Sequence, residues 1–293
     1  MSYVFYPGCS LESTASDFGE STKAVARALG IDMPEMRDWT CCGSTAAHQT
    51  DELLSLALPA KNLAAAAGNT VAVCCAACYS RLKTANHEIA ASDEKRRQVA
   101  GIIDADYDGS TPVKHFLEIL RDDIGLRELS ARVVRPLAGL KVAAYYGCLL
   151  LRPPSIMRFD DPENPRLLDD IAAATGAEPV EWPYKTECCG ASYSITKPEI
   201  VENLTHRILK MAREAGADCI VTACPLCQLN LDMRQSDVER RYGERFDLPV
   251  LYFTQLLGLA LGLEPAQLGL RRLIVDPFPL LKLKGVSAPV KAV

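Results

Sequence analysis

A run of five cysteines in a fixed order occurs twice in this chain, and that repeat constrains the fold more than any other feature. The first run is Cys9, the adjacent pair Cys41 and Cys42, then Cys75 and Cys78 as C-x-x-C. The second is Cys148, the pair Cys188 and Cys189, then Cys224 and Cys227. The flanking residues repeat with them: YPGC answers YYGC, CCGS answers CCGA, and AVCCAAC answers VTACPLC. A fourth matching pair, TPVKHFLEIL and LPVLYFTQLL, carries no cysteine. Self-similarity on this scale marks duplication of one structural unit.

Each half reads as strands alternating with helices. Short apolar runs predict strands at 3–6 and 70–73, and at 141–146 and 219–222. Apolar residues at helical spacing predict helices over about 13–29 and 51–67, and over about 166–175 and 197–215. Gly30 and Gly176 provide matching stops after the first helix of each half. The expected fold class is therefore α/β, with two pseudo-symmetric repeats of short parallel strands and flanking helices. The expected division is residues 1–130 for the N-terminal repeat and 131–263 for the C-terminal repeat. Residues 264–293 form an extension without a counterpart in the first half, expected to pack across the halves or meet a partner.

The chain has 293 residues, a net charge of −5 and no basic tract, so nucleic acid is not an expected partner. Its most apolar stretches are too short or too interrupted to span a bilayer, so no membrane insertion is expected. MSYVFYPGCS lacks the pattern of a secretory leader, which makes the cytoplasm the expected compartment. In that reducing environment, 12 cysteines point to metal binding or redox chemistry rather than structural disulfides.

The cysteine groups fall at strand ends or just before helices. Strand C-terminal ends in open α/β sheets converge on a ligand-binding crevice. Gly43 and Gly190 follow the cysteine pairs and permit a sharp turn next to a bulky cofactor. Zinc is the competing reading, but structural zinc takes four ligands and five thiolates overfill it. Iron–sulfur clusters are held by thiolates, and a standard cubane also needs only four. The fifth cysteine implies a spare redox thiol or a cluster of unusual shape.

With these motifs, YPGC…CCG…CAAC and YYGC…CCG…CPLC, the chain resembles the duplicated CCG-domain proteins of the heterodisulfide reductase B-subunit family, over residues 1 to about 285. The gaps before each C-x-x-C are slightly shorter than the family pattern. The resemblance implies two [4Fe-4S] clusters of non-cubane type, one on Cys9, Cys41, Cys42, Cys75 and Cys78, the other on Cys148, Cys188, Cys189, Cys224 and Cys227. It implies thiol/disulfide oxidoreductase activity, with the substrate bound between the clusters and each product sulfur captured at iron. The substrate would be a small disulfide or thiol: the mixed disulfide of coenzymes M and B, or a lipoyl group in a sulfur-oxidising complex. This chain shows no flavin or dinucleotide fingerprint and no ferredoxin-type cysteine run. The implied partners are therefore a ferredoxin-like subunit resembling the C component of heterodisulfide reductase and, through it, a flavoprotein resembling the A component. A non-catalytic electron-relay subunit is the alternative.

Other residues near the motifs have plainer readings. Cys74 and Cys219 lie outside the pattern and are expected to be buried small apolar residues. His48, Lys185 and Arg81 stand near cysteines but are expected to be ordinary histidine and exposed charges. Trp39 and Trp182 precede the cysteine pairs and are expected to shield a cluster or fill the core. Tyr79 and Gln228 directly follow C-x-x-C and differ, so the two environments are not identical.

Overall fold

The computed structural model describes residues 3–286. Seven short strands form two parallel sheets. The first sheet has the order β1 (Tyr3–Tyr6), β2 (Thr70–Val73), β3 (Val113–His115). The second has β4 (Lys141–Tyr145), β5 (Glu178–Pro179), β6 (Cys219–Thr222) and β7 (Val250–Tyr252), in the order β5-β4-β6-β7. The fold is α/β with two repeats, as the alternation of elements requires: parallel neighbours need a crossover, and helices supply it.

The registers of the two sheets correspond. Tyr3 pairs with Thr70 in the first sheet as Val142 pairs with Cys219 in the second. The extra strand β5 also has a counterpart, reduced to a single parallel bridge between Phe5 and Glu35. The segments β3 and β7 each run straight into a helix whose start is tied back by the residue three positions on. Glu118 accepts from the His115 N–H at 2.8 Å, and the Gln255 carbonyl accepts from the Tyr252 N–H at 2.9 Å. Such boxes satisfy N–H groups that a helix start leaves unpaired.

One continuous apolar core runs through both halves. The helix Ser16–Ala28 of the first half packs on the helix Phe253–Ala260 of the second. Phe18 stacks on Tyr252 with centroids 4.1 Å apart and planes 1° from parallel, and it meets Phe253 edge-on at 5.8 Å. The Ser21 and Thr254 hydroxyls pair at 2.7 Å, and Gln255 donates to Asp17 at 3.1 Å. The extension crosses the same seam. Arg272 reaches Ser16 at 2.8 Å and Glu20 at 2.9 Å, while the Ile274 and Val275 N–H groups bond Asp232. Residues 287–293 of the extension lie outside the described residues.

Candidate metal centre

Every cysteine of the two sets sits at the C-terminal edge of a sheet. Cys9 follows β1 through a turn at Gly8, and Cys148 follows β4 through a turn at Gly147, with φ of +67° and +65°. These glycines are required twice over. A Cβ on Gly8 would stand 3.0 Å from Cys78 Sγ, and one on Gly147 3.1 Å from Cys227 Sγ. Left-handed φ adds backbone strain for any other residue. The turns after the cysteine pairs are equally tight: a Cβ on Gly43 would meet Leu58 at 2.9 Å, and one on Gly190 would meet Val201 at 2.9 Å. Cys75 caps the helix Ala76–Ala91, and Cys224 caps the helix Pro225–Met233. Those N-termini favour negative charge on sulfur.

The sulfurs converge in pairs. Cys9 and Cys41 are 3.6 Å apart, Cys42 and Cys78 3.5 Å, and Cys189 and Cys227 3.5 Å. Cys148 lies against Cys188, and each C-x-x-C pair is in mutual contact. Across the two halves, Cys75 lies against Cys224, so the two sets adjoin. Cys9, Cys41 and Cys188 are exposed, Cys148 is half-buried, and the other six are buried. A narrow cleft lined by Tyr146, Cys148, Leu149 and Cys189 of the second half and Ala76 of the first borders this seam.

Ionisation within each set is divided between neighbours. Contact with Cys41 and Cys78, then the Ser44 N–H and the Arg81 charge, lower Cys42 to about 3, while Cys41 is pushed up. Contact with Cys148 lowers Cys188 to about 6, and Cys148 rises. Packed thiols cannot all lose protons together, because the thiolates repel. A polycationic iron core would replace those protons. Among the described residues no three His, Cys, Asp or Glu side chains meet as ligands of one ion. A paired, all-sulfur donor set spread over several ångströms fits a multi-iron group better than a single tetrahedral ion.

Aromatic residues wall each set. Tyr6 donates to the Thr40 carbonyl at 2.7 Å, and Tyr145 donates to the Glu187 carbonyl at 2.7 Å. Each thus fixes the residue just before a cysteine pair. Trp39 stands edge-on to Tyr6 at 5.8 Å, and Trp182 is tilted against Tyr145 at 6.2 Å. Burial, then the neighbouring sulfurs, raise both tyrosines, so both stay protonated. Sequence reading passed over Tyr6, Tyr145 and two amides that complete the frame. Asn62 accepts from the Thr40 N–H at 2.7 Å, and Asn230 donates to Cys189 Sγ at 3.5 Å. The tyrosines had a signal, since both stand three residues before the first cysteine of their set. The amides had none.

The remaining candidates divide. Cys74 and Cys219 are fully buried, with burial raising each to about 12. His48 is exposed on the helix Ser44–Thr50. Tyr79 donates to the Met157 carbonyl at 3.3 Å, and Gln228 donates to Asp232 at 3.1 Å. Arg81 is half-buried, and its charge helps lower Cys42. Lys185 overturns its expectation as an exposed charge. It is 3% exposed and paired with Asp169 at 2.8 Å, and Asp169 also accepts from Tyr146 at 2.6 Å. The Lys185 carbonyl accepts the N–H groups of Tyr146 and Gly147 at 2.9 and 3.1 Å. Its backbone therefore ties the Cys148 turn to the Cys188 loop, while its side chain is buried in the ion pair with Asp169.

The CCG cysteine-rich domain matches residues 3–83 and again 142–232. The 8-methylmenaquinol:fumarate reductase membrane anchor subunit of Wolinella succinogenes is 34% identical, covering 94% of this chain and 97% of that one. None of the described helices here is long and apolar enough to cross a membrane. The B subunit of the ferredoxin/F(420)H(2)-dependent CoB-CoM heterodisulfide reductase of Methanosarcina acetivorans is 32% identical over 98% of both chains. A hypothetical protein from Helicobacter pylori shares the fold with a TM-score of 0.75 at 12% identity, over 94% of this chain and 52% of that structure, so this chain spans about half its length. The duplicated cysteine frame and the full-length likeness together place this chain in the heterodisulfide reductase B-subunit family, with the CCG cysteine-rich domain present twice.

Proposed function

We propose that this chain is the disulfide-handling subunit of a redox complex, carrying two [4Fe-4S] clusters of non-cubane type. Cys9, Cys41, Cys42, Cys75 and Cys78 hold one, and Cys148, Cys188, Cys189, Cys224 and Cys227 hold the other. The observation that carries this reading is the contact of Cys75 with Cys224, which brings two five-thiol sets edge to edge at one seam. Reducing a disulfide breaks one S–S bond with two electrons and two protons. When bound, the clusters supply those electrons one apiece. The chain's own residues orient and shield. The Tyr6–Trp39 and Tyr145–Trp182 walls exclude water from the buried sulfurs, while Cys9, Cys41 and Cys188 leave each set open at one edge. Protons enter from solvent at that edge.

The substrate is a small disulfide or dithiol, such as a CoM-CoB mixed disulfide or a lipoyl group, held between the sets. Electrons pass to or from a ferredoxin-like partner and then a flavoprotein, a reading supported by a sequence without a Gly-rich flavin or dinucleotide fingerprint. Iron and acid-labile sulfide analysis of anaerobically purified protein tests the cofactor, with about eight irons per chain expected. Addition of a mixed disulfide or dihydrolipoamide tests the substrate, with a new paramagnetic signal expected. Full iron with no spectral response to either compound would leave an electron relay in place of a disulfide-handling role.

A further inference from the structure

The second cysteine pair is held by an asparagine that also touches a sulfur. Asn230 stands three residues beyond Cys227 on the helix Pro225–Met233 and is 1% exposed. Its Nδ2 lies 3.2 Å from the Cys189 carbonyl, 3.3 Å from the Ala191 carbonyl and 3.5 Å from Cys189 Sγ, so two N–H groups serve three acceptors. The Ala191 N–H brings a further donor to the same sulfur at 3.4 Å. Cys189 is 2% exposed, so these N–H groups stand where water does not reach. The other end of the amide is unpaired. Asn230 Oδ1 is buried and has no hydrogen-bond partner among the described residues. A buried acceptor without a partner is unfavourable and calls for an explanation, which here lies on the nitrogen side. Asn62 gives the comparison within the same chain. It pins the first pair, with Oδ1 accepting from the Thr40 N–H at 2.7 Å and Nδ2 donating to the Thr40 and Leu58 carbonyls, both at 3.0 Å. Both ends of that amide are paired, and those partners are all backbone groups. Holding a cysteine-pair loop therefore needs no contact with sulfur, and Asn230 does more than hold one.

We propose that Asn230 is a positioning residue that raises the reduction potential of the cluster on the second set, through its N–H on Cys189 Sγ. The inference rests on the cluster reading above and adds a residue that acts on one cluster through its sulfur. Reduction adds negative charge, part of which spreads onto the ligand sulfurs. An N–H aimed at a sulfur binds more tightly as that charge grows, so the reduced state gains more than the oxidised one. Asn230→Leu removes the donor while filling its space with an apolar group, which keeps water from taking its place. The exchange is between two uncharged side chains. Arg152, Lys185, Glu187 and Arg207 around this set keep their charges, so the change isolates the donor.

The test is a dithionite redox titration of the anaerobic full-length chain, followed by electron paramagnetic resonance. Iron and sulfide are counted for every variant. The couple that Cys189→Ala removes is the one belonging to the second set. Asn230→Leu should cut the reduced-to-oxidised ratio of that couple about fivefold at fixed potential, which is about 40 mV for one electron, and leave the other couple in place. Asn62→Leu, which loses loop contacts and no sulfur contact, should leave the second couple at its parent value. The inference is overturned if Asn230→Leu keeps its iron and the second couple stays put, or if Asn62→Leu shifts that couple as far. Should Asn230→Leu lose iron from the second set, the parent chain decides, grown with asparagine carrying a heavy-nitrogen side-chain amide. Its reduced second cluster should show a nitrogen coupling in electron–nuclear double resonance, and the absence of that coupling overturns the inference. A parent chain without iron or sulfide would sink the cluster reading instead.

Discussion

Replacing Lys185 with methionine removes one member of an ion pair that lies almost wholly out of water. The Lys185 and Asp169 side chains are 4% and 6% exposed, and their charged atoms are 2.8 Å apart. Burial already raises the Asp169 carboxyl, and Lys185 is the largest influence pulling it back. Without the lysine a carboxylate is left buried with only the Tyr146 hydroxyl, and breaking one side of such a pair costs about 3–5 kcal/mol. Lys185→Met should therefore lose about that much in urea unfolding at neutral pH. The loss should shrink as the pH falls, because a protonated Asp169 carries no stranded charge. Lys185→Met with Asp169→Asn removes both charges and keeps an acceptor for Tyr146, so it should recover most of the loss. A single variant within about 0.5 kcal/mol of the parent, the range of ordinary surface changes, would refute the claim that this pair is desolvated and structural.

Three further outcomes follow from the same geometry. Phe18→Ala, which removes the ring stacked on Tyr252 at the seam between halves, should cost about 3–5 kcal/mol in the same unfolding assay. Burial raises Asp17 to about 6, above its unfolded value, so its charged form penalises the fold. Parent stability should fall as pH rises from about 4 to 6, and Asp17→Asn should abolish that fall and gain about 3 kcal/mol at pH 7. Gly147→Ala, whose new Cβ would press on Cys227 Sγ at 3.1 Å, should reduce iron content in the second set, read by metal analysis, while the first set keeps its complement.

Much of the fold and most of the candidate site could be read along the chain, because both depend on local chemistry written twice. Short β-branched runs and helical apolar spacing recur in the same order in each half, so the alternation that demands parallel sheets is a matter of sequence. Gly8 and Gly147 stand beside their cysteines in YPGC and YYGC, and the motif itself carries the tight turn. Three features required the folded chain. Lys185 looks like a surface charge in sequence and becomes a buried clamp only because Asp169, from the helix Leu167–Ala174, comes to meet it. Asn230 gains meaning only when a helix face sets it against Cys189. The meeting of Cys75 with Cys224 depends on how helix Ser16–Ala28 seats against Phe253–Ala260, a packing between residues more than 200 positions apart, as Ser21 and Thr254 are. Sequence determines which groups a segment offers. Long-range burial decides which of them face one another, because that choice minimises exposed apolar surface and unpaired charge over the whole chain at once.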